Sequence, residues 1–149
     1  MEEHYNYGHG IGDSGSEYVR IPDCLIGAFY KWLEKLGAFN AEAPQKRAKK
    51  VRNSRTLLVL YLFIYNGWVK TNRQSIKGEN KPFTTNYPEI QKNLFIERHS
   101  AHKLLEELKE MKFISVDYDF TNKGAYKTII KININMEERD KIIKYYLGS

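Results

Sequence analysis

Residues Pro88 to Ile114 read PEIQKNLFIERHSAHKLLEELKEMKFI, and the parsing of this stretch decides the fold. Ala101, Leu104, Leu105, Leu108 and Met111 fall at i, i+3, i+4, i+7 and i+10, one continuous apolar stripe along an α-helix. Upstream, Thr84, Thr85 or Asn86 is placed to cap a short helix with Pro88 in its first turn and Ile90 and Leu94 turned inward. Phe95-Ile96-Glu97 forms the turn between them. The stretch is therefore a short helix and a longer one joined tightly.

Downstream of Phe113 the period switches from 3.6 to 2. Ile114, Val116, Tyr118 and Phe120 alternate with Ser115, Asp117 and Asp119, and a second run sets Ile130, Ile132 and Ile134 against Lys131 and Asn133. Between the runs, Thr121-Asn122-Lys123-Gly124-Ala125 contains residues that tolerate positive φ, which predicts a β-hairpin over 114–135. A closing helix over 136–147 follows, with Ile142, Ile143, Tyr146 and Leu147 as its apolar side.

Upstream, Lys46, Arg47, Lys49, Lys50, Arg52 and Arg55 form a cationic run containing no acid. It leads into Leu57-Leu58-Val59-Leu60-Tyr61-Leu62-Phe63-Ile64, apolar all round and expected to end at Asn66 and Gly67. The segment 46–67 is thus a basic stretch followed by a buried helix. Residues 68–86 are mixed and turn-rich, and predict a short strand or an irregular loop. In 19–37, Pro22 suits a first helical turn, Leu25, Ile26, Phe29, Trp32, Leu33 and Leu36 repeat at helical spacing, and Gly37 supplies a stop. Residues 1–18, with four glycines among polar residues, show no periodicity and predict a flexible tail. A chain of 149 residues divided this way is one domain over 19–149, mainly helical within an α+β class.

The net charge of +6 is unevenly placed. Residues 1–43 hold three Lys/Arg against seven Asp/Glu, whereas 44–149 hold 21 against 11. A localised excess of cations is a footprint of nucleic-acid binding, although 17 of the 24 basic residues are lysines in a chain also rich in Asn, Ile and Tyr, a bias that follows AT-rich coding as well as selection. No apolar run approaches the roughly 18 residues needed to cross a bilayer, and the start lacks a signal peptide's basic head and apolar core, so a cytoplasmic protein without a membrane partner is expected. Cys24, the single cysteine, permits neither an intrachain disulfide nor a cysteine zinc cluster.

With the helices, turn and hairpin in this order, residues 55–135 resemble a winged helix-turn-helix domain, and the Pro88–Ile114 string carries the resemblance: a Glu-Ile helix ending at a Leu, a turn Ile, a polar four-residue opening, paired leucines and a terminal aromatic-Ile. Phe95 stands where that family often has a glycine, and Glu97 is a weak cap. The resemblance implies a winged helix-turn-helix with extra N-terminal and C-terminal helices, whose second helix reads duplex DNA. A major groove about 12 Å wide admits one helix, anchored on its leucine side and polar at its N-terminal end. Steps of 100° place His99, Lys103 and Glu106 opposite the core, with His102 beside them and Arg98 opening the helix. Arg98, His99, Ser100, His102 and Lys103 are the candidate DNA-reading residues. The wing implied by the resemblance brings Asn122, Lys123 and Lys127 to the flanking backbone, although a turn of this composition also suits a plain soluble hairpin. Lys46, Arg47, Lys49, Lys50, Arg52 and Arg55 either contact phosphates at a flank or form a solvated face.

A second resemblance joins Tyr18-Val19-Arg20-Ile21-Pro22 before an apolar helix with Asn66-Gly67-Trp68 after a leucine-rich one. This layout is similar to the DNA-binding domains of plasmid replication initiators from low-GC bacteria and to small plasmid or phage adaptors. It implies a role in partition, replication or transcription control, with a replication or partition protein as a further partner. The apolar surface of the first and last helices exceeds what a three-helix core requires, so a homodimer with two recognition helices about 34 Å apart is expected. The competing class is a winged-helix protein-interaction module that binds no specific DNA. His99, His102 and Glu106 share a helical face at metal-ligand spacing but lack a further ligand nearby in sequence, and no nucleophile elbow accompanies Ser100, so no metal, cofactor or catalytic residue is expected.

Overall fold

A computed structural model of the chain describes residues 20–73, 80–120 and 128–148. The expected tail, 1–18, lies outside them. The first helix, α1 (Leu25–Lys35), buries Leu25, Phe29, Trp32 and Leu33 of the expected stripe together with Ala28, whereas Ile26 and Leu36 are exposed and Pro22 precedes the helix instead of lying in its first turn. It ends at Gly37, whose φ of +80 lets Ala38 N donate to Leu33 O at 2.9 Å and Gly37 N donate to Glu34 O at 3.0 Å. These bonds satisfy carbonyls that the helix end would otherwise leave open.

The cationic run and the buried segment form one helix, α2 (Pro44–Asn72), of 29 residues and so about 43 Å long. Pro44 occupies its first turn. The stop expected at Asn66-Gly67 is not used, and the helix continues for more than a turn. Gly67 serves another purpose: a Cβ there would collide with the ring of Phe83. The glycine allows the next strand to cross the helix closely, at a cost in helix propensity of about 1 kcal/mol. Asn72 then ties the helix end to that strand's approach, donating to Trp68 O and Lys81 O at 2.9 Å and accepting from Lys81 N at 2.6 Å.

The remaining elements are β1 (Phe83–Thr85), α3 (Tyr87–Leu94), α4 (Arg98–Glu110), β2 (Ile114–Asp119), β3 (Ile129–Ile134) and α5 (Met136–Gly148). The described residues make an α+β structure, mainly helical, with five helices and one antiparallel sheet of order β1-β3-β2. Ile132 is the central partner, facing Phe83 on one side and Val116 on the other. Trp68 of α2 donates from Nε1 to Asn133 Oδ1 at 3.0 Å, which fixes the helix over the sheet. Phe29, Tyr61 and Phe113, from α1, α2 and the lead into β2, pack with ring centroids 5.2 to 5.6 Å apart at the centre of the core.

One expectation for α5 is corrected: Leu147, placed on its apolar side, is 62% exposed. Arg139, by contrast, is 2% exposed. Its guanidinium donates to Tyr65 Oη at 2.7 Å and to Asp140 Oδ1 at 2.7 and 3.1 Å, the pairing that makes a buried cation tolerable. The apolar faces of α1 and α5 also meet each other: Trp32 packs edge-on against Tyr145 at 5.3 Å, and Gly27 lies under the Tyr146 ring. The surface expected to drive dimerisation is therefore largely covered within one chain. Ile26, Leu36 and Leu147 remain exposed there.

Candidate nucleic-acid interface

The geometry of α3 and α4 follows from short local interactions. Of the three residues able to cap α3, Asn86 does so, its Oδ1 accepting from Glu89 N at 2.8 Å. Ile90 is fully buried and Leu94 half-buried. Phe95 then adopts φ 58 and ψ 36, the left-handed conformation that a glycine enters freely and other residues at roughly 1–2 kcal/mol. Its ring is 90% exposed. Ile96 is buried and pins the turn to the core.

Helix α4 buries Ala101, Leu105 and Leu108 and half-buries Leu104 and Met111, as the stripe requires. It closes on Lys112 at φ 68, with Phe113 N donating to Leu108 O at 3.0 Å. Asn135 links this end to α5: its side chain donates to Lys112 O at 2.9 Å and accepts from Glu138 N at 3.2 Å.

At the other end of α4 no side chain caps the first turn, and that turn contains no acid. Its amide groups and the positive end of the helix dipole lie beside Arg98, His99 and Ser100 and favour anions, with the exposed N-cap residue Glu97 as the opposing charge. All five candidate reading residues are exposed. They are not equivalent. His99, Ser100 and Lys103 make no side-chain hydrogen bond or ion pair among the described residues. Arg98 lays its guanidinium 5.2 Å over the Tyr87 ring. His102 Nδ1 lies 2.9 Å from Tyr87 Oη, and its ring packs 5.3 Å from that of Tyr118.

Glu106, placed by periodicity on the open face, accepts from Tyr118 Oη at 2.8 Å and lies 3.9 Å from Lys109 Nζ. Burial and the bond to Glu106 push the Tyr118 hydroxyl far above its ordinary range, and burial raises that of Tyr87 against the opposing charge of Arg98. Tyr118 stacks in turn on Phe120, 6.0 Å away and 69% exposed. Sequence reasoning missed this framework, because period-two alternation assigns Tyr118 to an apolar face and says nothing of a hydroxyl partner on another element.

The wing residues Asn122, Lys123 and Lys127 lie outside the described residues. The basic segment is exposed throughout on the first half of α2. Two of its cations are engaged locally, Arg47 donating to Ala41 O at 3.0 Å and Lys50 to Asn40 O at 2.6 Å, which braces the α1–α2 connection. Lys46, Lys49, Arg52 and Arg55 have no side-chain partner among the described residues. There, too, no cluster of three or more His, Cys, Asp or Glu is placed to hold a metal, and no helix is long and apolar enough to cross a membrane. His102 and Glu106, adjacent on the helix, bond to different tyrosines.

No family model, curated protein or solved structure matches the chain.

Proposed function

We propose that the chain is a winged helix-turn-helix protein that binds double-stranded DNA sequence-specifically, in plasmid or phage partition, replication or transcriptional control. The observation that carries this reading is the N-terminal turn of α4. No side chain caps it and no acid lies within it, the N-cap residue being Glu97; it exposes Arg98, His99 and Ser100, with Lys103 one turn on, and leucines on the far side of the helix anchor it. The element order α2-β1-α3-α4-β2-β3 and the β1-β3-β2 sheet support the winged form. In this reading α4 enters a major groove, Asn122, Lys123 and Lys127 meet the flanking backbone, and the cations of α2 extend the phosphate contact. The plasmid or phage setting, and a replication or partition protein as partner, rest on the resemblance of Tyr18–Pro22 and Asn66–Trp68.

Because α1 and α5 cover each other's apolar faces, a homodimer would have to pair through Ile26, Leu36 and Leu147. Light scattering that gives the mass of one chain at micromolar concentration removes the homodimer from the proposal.

The test of DNA binding is fluorescence anisotropy with duplexes selected from random sequence. A complex with 6 to 10 phosphate contacts loses about 10³ to 10⁵ in affinity between 50 and 200 mM salt, and Lys103→Ala weakens binding and relaxes preference at one position by about 1–3 kcal/mol. Exposed Phe95 and Phe120 favour a second reading, a protein-interaction module. Absence of duplex binding at low salt decides for that one.

A further inference from the structure

His102 stands on α4 between two tyrosines from other elements. Tyr87, at the start of α3, reaches its Nδ1 at 2.9 Å, and Tyr118 of β2 supports its ring. The residue is nonetheless exposed, so the nitrogen left for an outside group is Nε2. The titratable and charged groups around it are Tyr87 from α3, Arg98 and Glu106 from α4, with Lys109 paired to Glu106, and Tyr118 from β2.

Each phenol has one proton to donate, and that of Tyr118 goes to Glu106 Oε2. Tyr87 Oη and His102 Nδ1 face each other at 2.9 Å, and the tautomer sets which of them donates. A phenol proton directed at Nδ1 requires the lone pair there and leaves the single proton of a neutral imidazole on Nε2, whereas Nδ1–H donating to Oη leaves Nε2 bare.

We propose that Tyr87 is a specificity-determining positioning residue that holds neutral His102 as its Nε2–H form, so that α4 offers a donor, and no acceptor, at this position. The inference rests on the DNA-binding reading and sharpens it. A fixed N–H accepts guanine O6 or N7, adenine N7, thymine O4 or a phosphate oxygen as partner, and refuses the amino groups of adenine and cytosine. Without Tyr87 the ring is free to flip and to exchange tautomers, and presents a bare lone pair for part of the time.

Two measurements test this. In the ¹⁵N NMR spectrum of the wild-type protein near pH 8, the His102 ring nitrogens should show Nε2 protonated and Nδ1 unprotonated; the reverse assignment overturns the proposal without touching the DNA-binding reading. In the second, Tyr87→Phe and wild type are compared by anisotropy on a duplex selected by wild type, with thermal melts confirming that both are folded. Near pH 8 Tyr87→Phe should bind about 3- to 10-fold more weakly than wild type, and its His102 ring nitrogens should show the averaged shifts of an imidazole that exchanges tautomers. Undiminished affinity, or nitrogen shifts in the variant that match those of wild type, overturns the proposal. Wild-type protein that binds no duplex overturns the DNA-binding reading and this inference with it, whatever the nitrogen shifts show.

Discussion

The two halves of α2 are one helix in two solvents. From Pro44 to Asn53 every residue is exposed or half-buried and the cations meet no acid, whereas from Ser54 to Asn72 ten residues are buried, including Tyr61, Tyr65 and Trp68. The backbone does not register the change. The contrast teaches that helix continuity is set locally, by Pro44 at the start and an unbroken run of compatible residues. Burial is set by what lies opposite, which for the second half is the sheet, α1 and α4.

Substitutions can break or sharpen this contrast, and the largest effect is expected in the buried half. Trp68→Ala removes a fully buried indole and its bond to Asn133, and should lower stability by about 3–5 kcal/mol in chemical denaturation. A loss below about 1 kcal/mol would mean that the buried half is not the core of the domain. Gly67→Ala comes next. Helix propensity favours alanine by about 1 kcal/mol, but the collision with the Phe83 ring should turn this into a net loss of about 1–3 kcal/mol. A rise in melting temperature would show that β1 does not cross the helix there.

Tyr61→Phe should be neutral or stabilising by up to about 1 kcal/mol, because the buried Tyr61 hydroxyl has no hydrogen-bond partner among the described residues. Its high-lying pKa, raised chiefly by burial, implies no titration at neutral pH, so this effect should be the same at pH 6 and pH 8. The smallest change in stability belongs to the exposed half: replacing Lys46, Lys49 and Arg52 together by Ala should move it by no more than about 0.5 kcal/mol. If α2 meets phosphates, the same variant lowers the slope of log affinity against log salt. An unchanged slope assigns that half to solubility alone.

Much of the fold was legible in sequence, for reasons visible in particular residues. The stripe from Ala101 to Met111, the alternation from Ile114 to Tyr118 and the stop at Gly37 are local signals with a physical period or a required backbone angle, whereas Phe120, expected on the same face as Ile114, lies past the strand and is exposed. The errors fell where a distant partner decides the outcome. Gly67 suggested a helix end because glycine usually weakens helices; here it accommodates a ring sixteen residues away. Nothing in the local pattern marks Arg139 as buried, and Tyr65 and Asp140 make its burial tolerable. The apolar faces of α1 and α5, on which the expectation of a homodimer rests, pack on one another, which leaves Ile26, Leu36 and Leu147 for the light-scattering test to judge.

At the candidate interface the division is the same. The sequence by itself determined which residues lie on the open face of α4, because a period of 3.6 and a leucine stripe leave few choices for Arg98, His99, Ser100, His102 and Lys103. The left-handed backbone angle at Phe95 emerged only with the structure. Only the tertiary structure decided which of those exposed groups stay unengaged and which are held: Tyr87 and Tyr118 reach His102 from α3 and β2, and Arg98 lies over Tyr87. Periodicity reports direction around one helix axis, whereas a hydrogen bond depends on the distance between atoms on separate elements, which packing alone sets.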